Sequence, residues 1–308
     1  TLSSSSAASD VYKRQNIYTL GGGYMPAIYT HYCFGEEMKK VYSPHLQKII
    51  QDNIELYEIG LHGPDIFFYY QIYHHNDLNR WGSAMHKQKA YDLFENSRHV
   101  ILEKSHKEAK IAYMLGFIAH FALDYECHSY IEKKMQASHV SHSLIECEMD
   151  KYLLIKNHQK PLYTDLTQHL HPTMENAKVI QTFFNQFSVQ QILSTLKSMK
   201  TYNRFLASHN PFIRTLVKVF LLISGKYKGY RGLLMDQKDH ESCKDSNLRL
   251  EKLMKKAIPH CLELSENYYT YLTKNEPLSH DFLAHYSAQE GWENIPVLSY
   301  EKEKEYDI

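Results

Sequence analysis

A surplus of one charge is missing from this chain. Its 308 residues carry 35 lysines and arginines against 35 aspartates and glutamates. Proteins that gather nucleic acid usually show a basic excess, so the balance argues against a nucleic-acid-binding module. Cysteine is scarce: Cys33, Cys127, Cys147, Cys243 and Cys261 are odd in number, widely spaced and form no C-x-x-C. That speaks against a disulfide framework and for reduced thiols. Long apolar runs are lacking too. The greasiest stretches, Ile111–Leu123 and Phe212–Ile223, are too short or are broken by His120, Arg214 and Lys218, so no transmembrane segment is expected.

What is abundant is histidine, with 20 residues, on the order of three times average usage. Imidazole is the commonest metal ligand and titrates near neutral pH, so the surplus invites a metal reading. The opening stretch Thr1 to Gln15 (TLSSSSAASDVYKRQ) is low in complexity and has no apolar periodicity. It resembles translated adapter read-through, with Gly21-Gly22-Gly23 reading as untranslated leader and Met25 as the natural start. Residues 1–24 are therefore set aside as a non-native leader. With no signal peptide ahead of Met25 the expected compartment is the cytoplasm, or the exterior if an upstream segment was lost.

Helical spacing dominates the remainder and strand signals are nearly absent. Helices are expected over Glu36–Glu58, interrupted at Pro44, and over Lys89–Glu103, Lys107–Glu132 and Ser141–Ile155. Amphipathic segments continue at Met174–Phe187, Val189–Met199, Phe212–Ile223 and Leu248–Leu272. Gly225–Asn247 reads as a long exposed connection and a possible lid. The charged tail 299–308 is expected to fray. These features predict one all-α domain, a helical bundle over residues 25–298.

Gly116, His120, Asp124 and His128 are each four residues from the next, forming one row on a helix. The surrounding sequence is apolar enough to bury that helix nearly all round. Burying a carboxylate is costly unless it is paired or bound to a cation, and two imidazoles plus a carboxylate are a donor set zinc accepts. Gly116 would leave room one turn above. The bland alternative is a hydrogen-bonded core His–Asp pair with a surface histidine. His142 and Glu146 repeat the i,i+4 spacing, which a solvated helix face also explains; His139 competes but has Ser143 four residues on. Asp65, in Gly63-Pro64-Asp65, reads equally as a turn aspartate. His31, in Thr30-His31-Tyr32-Cys33-Phe34-Gly35, and His86, after Met85, each flank an expected helix start.

Taken in order, T-H-x-x-F-G, G-P-D, M-H, G-x-x-x-H-x-x-x-D-x-x-x-H and H-x-x-x-E resemble the zinc-dependent phospholipase C family, related in fold to the S1/P1 nucleases. The resemblance covers residues 25–150. It implies an all-α bundle with two to three zinc ions. By position, Asp65, His86, His120 and Asp124 would surround one ion. Asp124 would bridge to a second, also held by His31, and His128, His142 and Glu146 would hold a third. The implied reaction is metal-assisted hydrolysis of a phosphodiester that releases diacylglycerol, with Asp65 as an additional candidate general base and phospholipid as substrate met in transient membrane-surface contact. The chain departs from the family's secreted members. Only Met25 to Thr30 precede His31, where those members use the N-terminal amine as a ligand. The step from Asp124 to His128 is shorter, and no C-terminal β-sandwich is visible. A related metal-dependent nuclease or phosphatase is the nearest rival, followed by a non-catalytic helical protein stabilised by zinc. More ligands than one closed site needs favour catalysis.

Overall fold

The computed structural model describes residues 27–308 apart from 75, 104, 226 and 228–230. The proposed leader 1–24 and Met25 lie outside the described residues. Among these residues there is no strand, only an isolated bridge between Lys89 and His285, and the all-α expectation holds. The helices are α1 (Ile28–Val41), α2 (Pro44–Asp52), α3 (Ile54–Gly60), α4 (Asp77–Met85), α5 (Ala90–Leu102), α6 (Lys107–Ser138) and α7 (His142–Lys156). They continue with α8 (Met174–Gln181), α9 (Val189–Leu206), α10 (Pro211–Ile223), α11 (Lys244–Lys274) and α12 (Tyr300–Glu305). A 3₁₀ turn, Gly63–Tyr69, links α3 to α4.

Pro44 ends α1 and starts α2 at its first position, where a missing N–H costs nothing. Ser141 caps α7 by accepting from the Leu144 N–H. Ser188 and Gln191 form a reciprocal capping box on α9. The central element is α6, buried nearly all round from Lys110 to Asp124 and packed chiefly against α3 and α11. Gly116 does not leave room, contrary to expectation. A Cβ there would stand 2.1 Å from the Tyr57 carbonyl and 2.9 Å from the Gly60 Cα, so its hydrogen lets α3 and α6 touch backbone to backbone. That contact brings the Gly63–Asp65 turn up to His120.

Two further expectations are corrected. Gly225–Asn247 is an exposed connection only in part: residues 236–241 are exposed, and the stretches on either side of them are packed down. Leu233, Leu234 and Met235 are buried, the Arg231–Leu233 turn packs on α7, and Asp245, Ser246 and Asn247 already lie buried in α11. The C-terminal stretch does not fray. It forms α12, whose Glu303 is fully buried and takes a two-pronged bond from Arg249 on α11 at 2.6 and 2.9 Å. A buried carboxylate held this way anchors a segment that composition alone marks as loose.

Candidate metal centre

His31 lies in the first turn of α1, where the N–H groups of Ile28, Tyr29 and Thr30 have no partner within the helix. All three, with the Thr30 hydroxyl, donate to the Asp150 carboxylate of α7 at 2.7–3.2 Å. The turn that presents His31 is thus pinned from another helix. Asp65 sits in the 3₁₀ turn set by Gly63, whose backbone is in the left-handed region (φ 44°) and whose missing Cβ makes space for the His120 ring. His86 caps the end of α4 and, as expected, lies just ahead of a helix start, that of α5 at Ala90.

The structure brings all eight candidates together. The Asp124 carboxylate is ringed by His120 Nε2 at 3.1 Å, His31 Nε2 at 3.5 Å and His128 Nε2 at 3.6 Å. Asp65 faces His86 Nε2 at 2.9 Å and His120 Nε2 at 3.8 Å. Glu146 faces His142 Nε2 at 2.9 Å and His128 Nε2 at 3.9 Å. Three groups therefore have donor atoms within 4.8 Å of one another: His31, His120 and Asp124; Asp65, His86 and His120; His128, His142 and Glu146. His120 joins the first two, and Asp124 stands between the first and the third. His139, the competitor, is exposed at the left-handed C-cap of α6 and takes no part.

The tautomers are fixed from behind. His86 Nδ1 donates to the Gly82 carbonyl at 2.7 Å, His120 Nδ1 to Leu61 at 3.2 Å and His128 Nδ1 to Tyr286 at 2.5 Å. A carbonyl can only accept, so each Nδ1 carries a proton and each ring turns its Nε2 inward, the atom that offers a lone pair once its own proton is absent. That is the outer-shell arrangement of zinc-ligating histidines. The inner atoms His120 Nε2 and Asp124 Oδ2 are fully buried, and neither makes a well-directed hydrogen bond. Buried polar atoms without partners are costly, and a cation between them resolves both. The donor set, imidazole nitrogen plus carboxylate oxygen, suits zinc.

Charge follows the same geometry. Burial pushes Asp124 up, but His120 and His128 more than offset it and hold the carboxyl well below the usual range. Glu146 is likewise raised by burial and drawn down to about 2 by His142 and His128. Both are anions at neutral pH, the state that binds a cation. Burial lowers His31 to about 4, leaving it neutral. His128 is lowered by burial yet raised to about 9 by Asp124 and Glu146, so a metal would displace a proton there.

The comparisons with known proteins bear on this centre. A family model described as zinc dependent phospholipase C matches residues 30–268, a stretch that contains every one of the eight candidates. The chain belongs to the zinc-dependent phospholipase C family. Neither the curated proteins nor the solved structures gave a match. As a member of that family this phospholipase C is a zinc-dependent hydrolase, and its helical fold agrees with the membership.

Three features around the phospholipase centre carry no local signal in the sequence. Tyr286, fully buried, stands over His120 and His86 with ring centroids 6.0 and 5.9 Å away. Asp150 pins the α1 terminus. His62 and His169 meet Nε2 to Nε2 at 2.8 Å, with Tyr32 stacked on His169. Burial lowers both imidazoles, His169 to about 3, so this neutral pair packs beside the centre without adding charge to it. Tyr69 is buried in the core, the role that packing alone suggests for it.

Proposed function

We propose that His31, Asp65, His86, His120, Asp124, His128, His142 and Glu146 hold two to three zinc ions, and that the centre cleaves the head-group phosphodiester of a phospholipid. The observation that carries this reading is Asp124. A buried carboxylate facing three imidazoles at 3.1, 3.5 and 3.6 Å is arranged to bridge cations. One closed structural zinc would need only four ligands.

When bound, zinc lowers the pKa of its water from 15.7 to about 7 and polarises a phosphoryl oxygen. The chain's own groups do the rest. The backbone carbonyls of Gly82, Leu61 and Tyr286 hold the ligand rings in one tautomer. The apolar wall of α6 and Tyr286 keeps bulk water from the inner face. The side chains of His86, His128 and His142 are 17, 14 and 13% exposed and form the edge by which a phosphate could enter. Asp65, beside His86, is the carboxylate at that edge and the candidate to take a proton from the attacking water.

Metal analysis of the chain begun at Met25 is expected to give two to three zinc per molecule. Release of head group from phosphatidylcholine, run beside single-stranded DNA and bis-nitrophenyl phosphate, separates a lipase from a nuclease or a general phosphodiesterase. Zinc at one equivalent with no cleavage of any of the three would overturn the catalytic reading.

A further inference from the structure

The overall charge balance conceals a segregated segment. Residues 176–235 contain Lys178, Lys197, Lys200, Arg204, Arg214, Lys218, Lys226, Lys228 and Arg231, and no aspartate or glutamate. In the middle of it lies α10, and α10 is inside out. A helix on a globular surface turns its apolar stripe to the core and its charges to water. Here Phe212, Leu216, Leu222 and Ile223 are 69, 53, 58 and 82% exposed, with Val219 and Phe220 also exposed. Arg214 and Lys218 are half-buried, and Arg214 turns inward to the Met235 carbonyl and Asp236, both at 2.7 Å. Leu221 is the one buried residue of the helix.

The exposed stripe continues onto neighbouring elements. Tyr73, itself exposed, sets its ring edge-on to Phe220 at 5.8 Å and to Tyr202 at 6.2 Å. Tyr73 follows the turn that carries Asp65 and precedes α4, which leads to His86. The apolar patch thus adjoins the segment that supplies two candidate ligands. Among the described residues no single helix is long and apolar enough to cross a membrane. Val189–Leu206 and Pro211–Ile223 reach that composition only together, bent by 110°, and α9 spends its apolar face on the core. The segment carries basic residues and no acid of its own, although Asp236 and Asp165 pair with Arg214 and Arg204. A short helix with an apolar outer face in such a segment lies on a bilayer and does not cross it.

We infer that α10, with Tyr73 beside it, docks this phospholipase onto an anionic phospholipid bilayer, apolar side chains seated among the acyl chains and the basic segment at the head groups. The choice of a bilayer over a protein rests on the proposed lipid reading of the centre together with the absence of acid from residues 176–235. The test uses the full chain, sedimented with vesicles of phosphatidylcholine containing about a third phosphatidylglycerol. The triple variant Phe212→Ser, Leu216→Ser and Ile223→Ser should lose at least about 100-fold in vesicle partitioning, since three exposed side chains give up their burial in lipid. Lys218→Glu, or vesicles of phosphatidylcholine alone, should cost several-fold. Both variants should cleave a monomeric short-chain phosphatidylcholine as the parent does, because none of these residues touches the centre.

Equal sedimentation of parent and triple variant would overturn the docking. So would a dimer that the triple variant dissolves while neither protein sediments, which would make the face a contact between copies. Vesicle binding through α10 without cleavage of any lipid would leave the docking standing and sink the head-group reading instead. Cleavage of monomeric lipid with no vesicle binding would do the reverse.

Discussion

Asp150 offers a test of how the fold positions the centre without touching a metal ligand. Its carboxylate accepts three backbone N–H bonds and one hydroxyl bond from Ile28, Tyr29 and Thr30, all buried. Asp150→Ala leaves those donors at the head of α1 without partners. Each hydrogen bond to a charged group contributes about 1.5–3 kcal/mol net, and an orphaned buried donor costs about 1–3 kcal/mol. The four are not additive, and the alanine also removes a carboxylate that burial penalises, so a net loss of about 3 kcal/mol is expected. At about 2–4 °C per kcal/mol for a chain of this size, Tm should fall by roughly 6–12 °C. Because His31 is the residue after Thr30, zinc should be lost as well, at least one ion on dialysis against a weak chelator. Asp150→Asn keeps one acceptor and should fall between alanine and the parent. Calorimetry and metal analysis on the same samples decide it. If Asp150→Ala melts within 2 °C of the parent and keeps all its zinc, α1 is not held from α7 and the argument fails.

Asp124→Asn should lower turnover at least about 100-fold and reduce zinc content with little change in far-ultraviolet circular dichroism; unchanged turnover would reject the bridging role. Gly116→Ala drives a methyl into the Tyr57 carbonyl at 2.1 Å and should cost about 3 kcal/mol or prevent folding, read by urea unfolding of the purified protein. Burial raises Glu58 to about 7 against the pull of Lys39. A carboxyl raised in the folded state contributes stability that is complete below its unfolded pKa near 4.5 and fades as pH rises through 7. Glu58→Gln should therefore match the parent in urea midpoint at acid pH and exceed it at pH 8; identical pH profiles would refute the assignment. Removing zinc should lower Tm in a way that depends on chelator concentration, as expected when only the folded state binds the ion.

The parts of the centre that lie on one helix were legible from spacing alone. His120, Asp124 and His128 on α6, and His142 with Glu146 on α7, are i,i+4 rows, and a helix turns such rows to one side whatever the tertiary fold. His31, Asp65 and His86 were legible only through the family resemblance, because each occupies a helix end or a tight turn and has no periodic companion. Asp150 and Tyr286 were not legible. Their contacts span 120–122 and 158 residues, and nothing in a local window distinguishes them from any buried polar or aromatic residue. The corrections have the same origin. Gly116 was read for the space it leaves, whereas its use is decided by Gly60 on the helix across from it. The polar composition of Gly225–Asn247 hid Leu233, Leu234 and Met235. The charges of the last ten residues hid Glu303, whose partner lies on α11.

The carbonyl of Tyr286 has a practical consequence for anyone trimming this protein. Residues 30–268 match the family model, and a fragment cut to that stretch would keep all eight candidate ligands. It would still lose the one main-chain oxygen that fixes which nitrogen of His128 carries hydrogen. Freed of it, the ring can turn, and an ion held as proposed by His128, His142 and Glu146 would be the first to exchange.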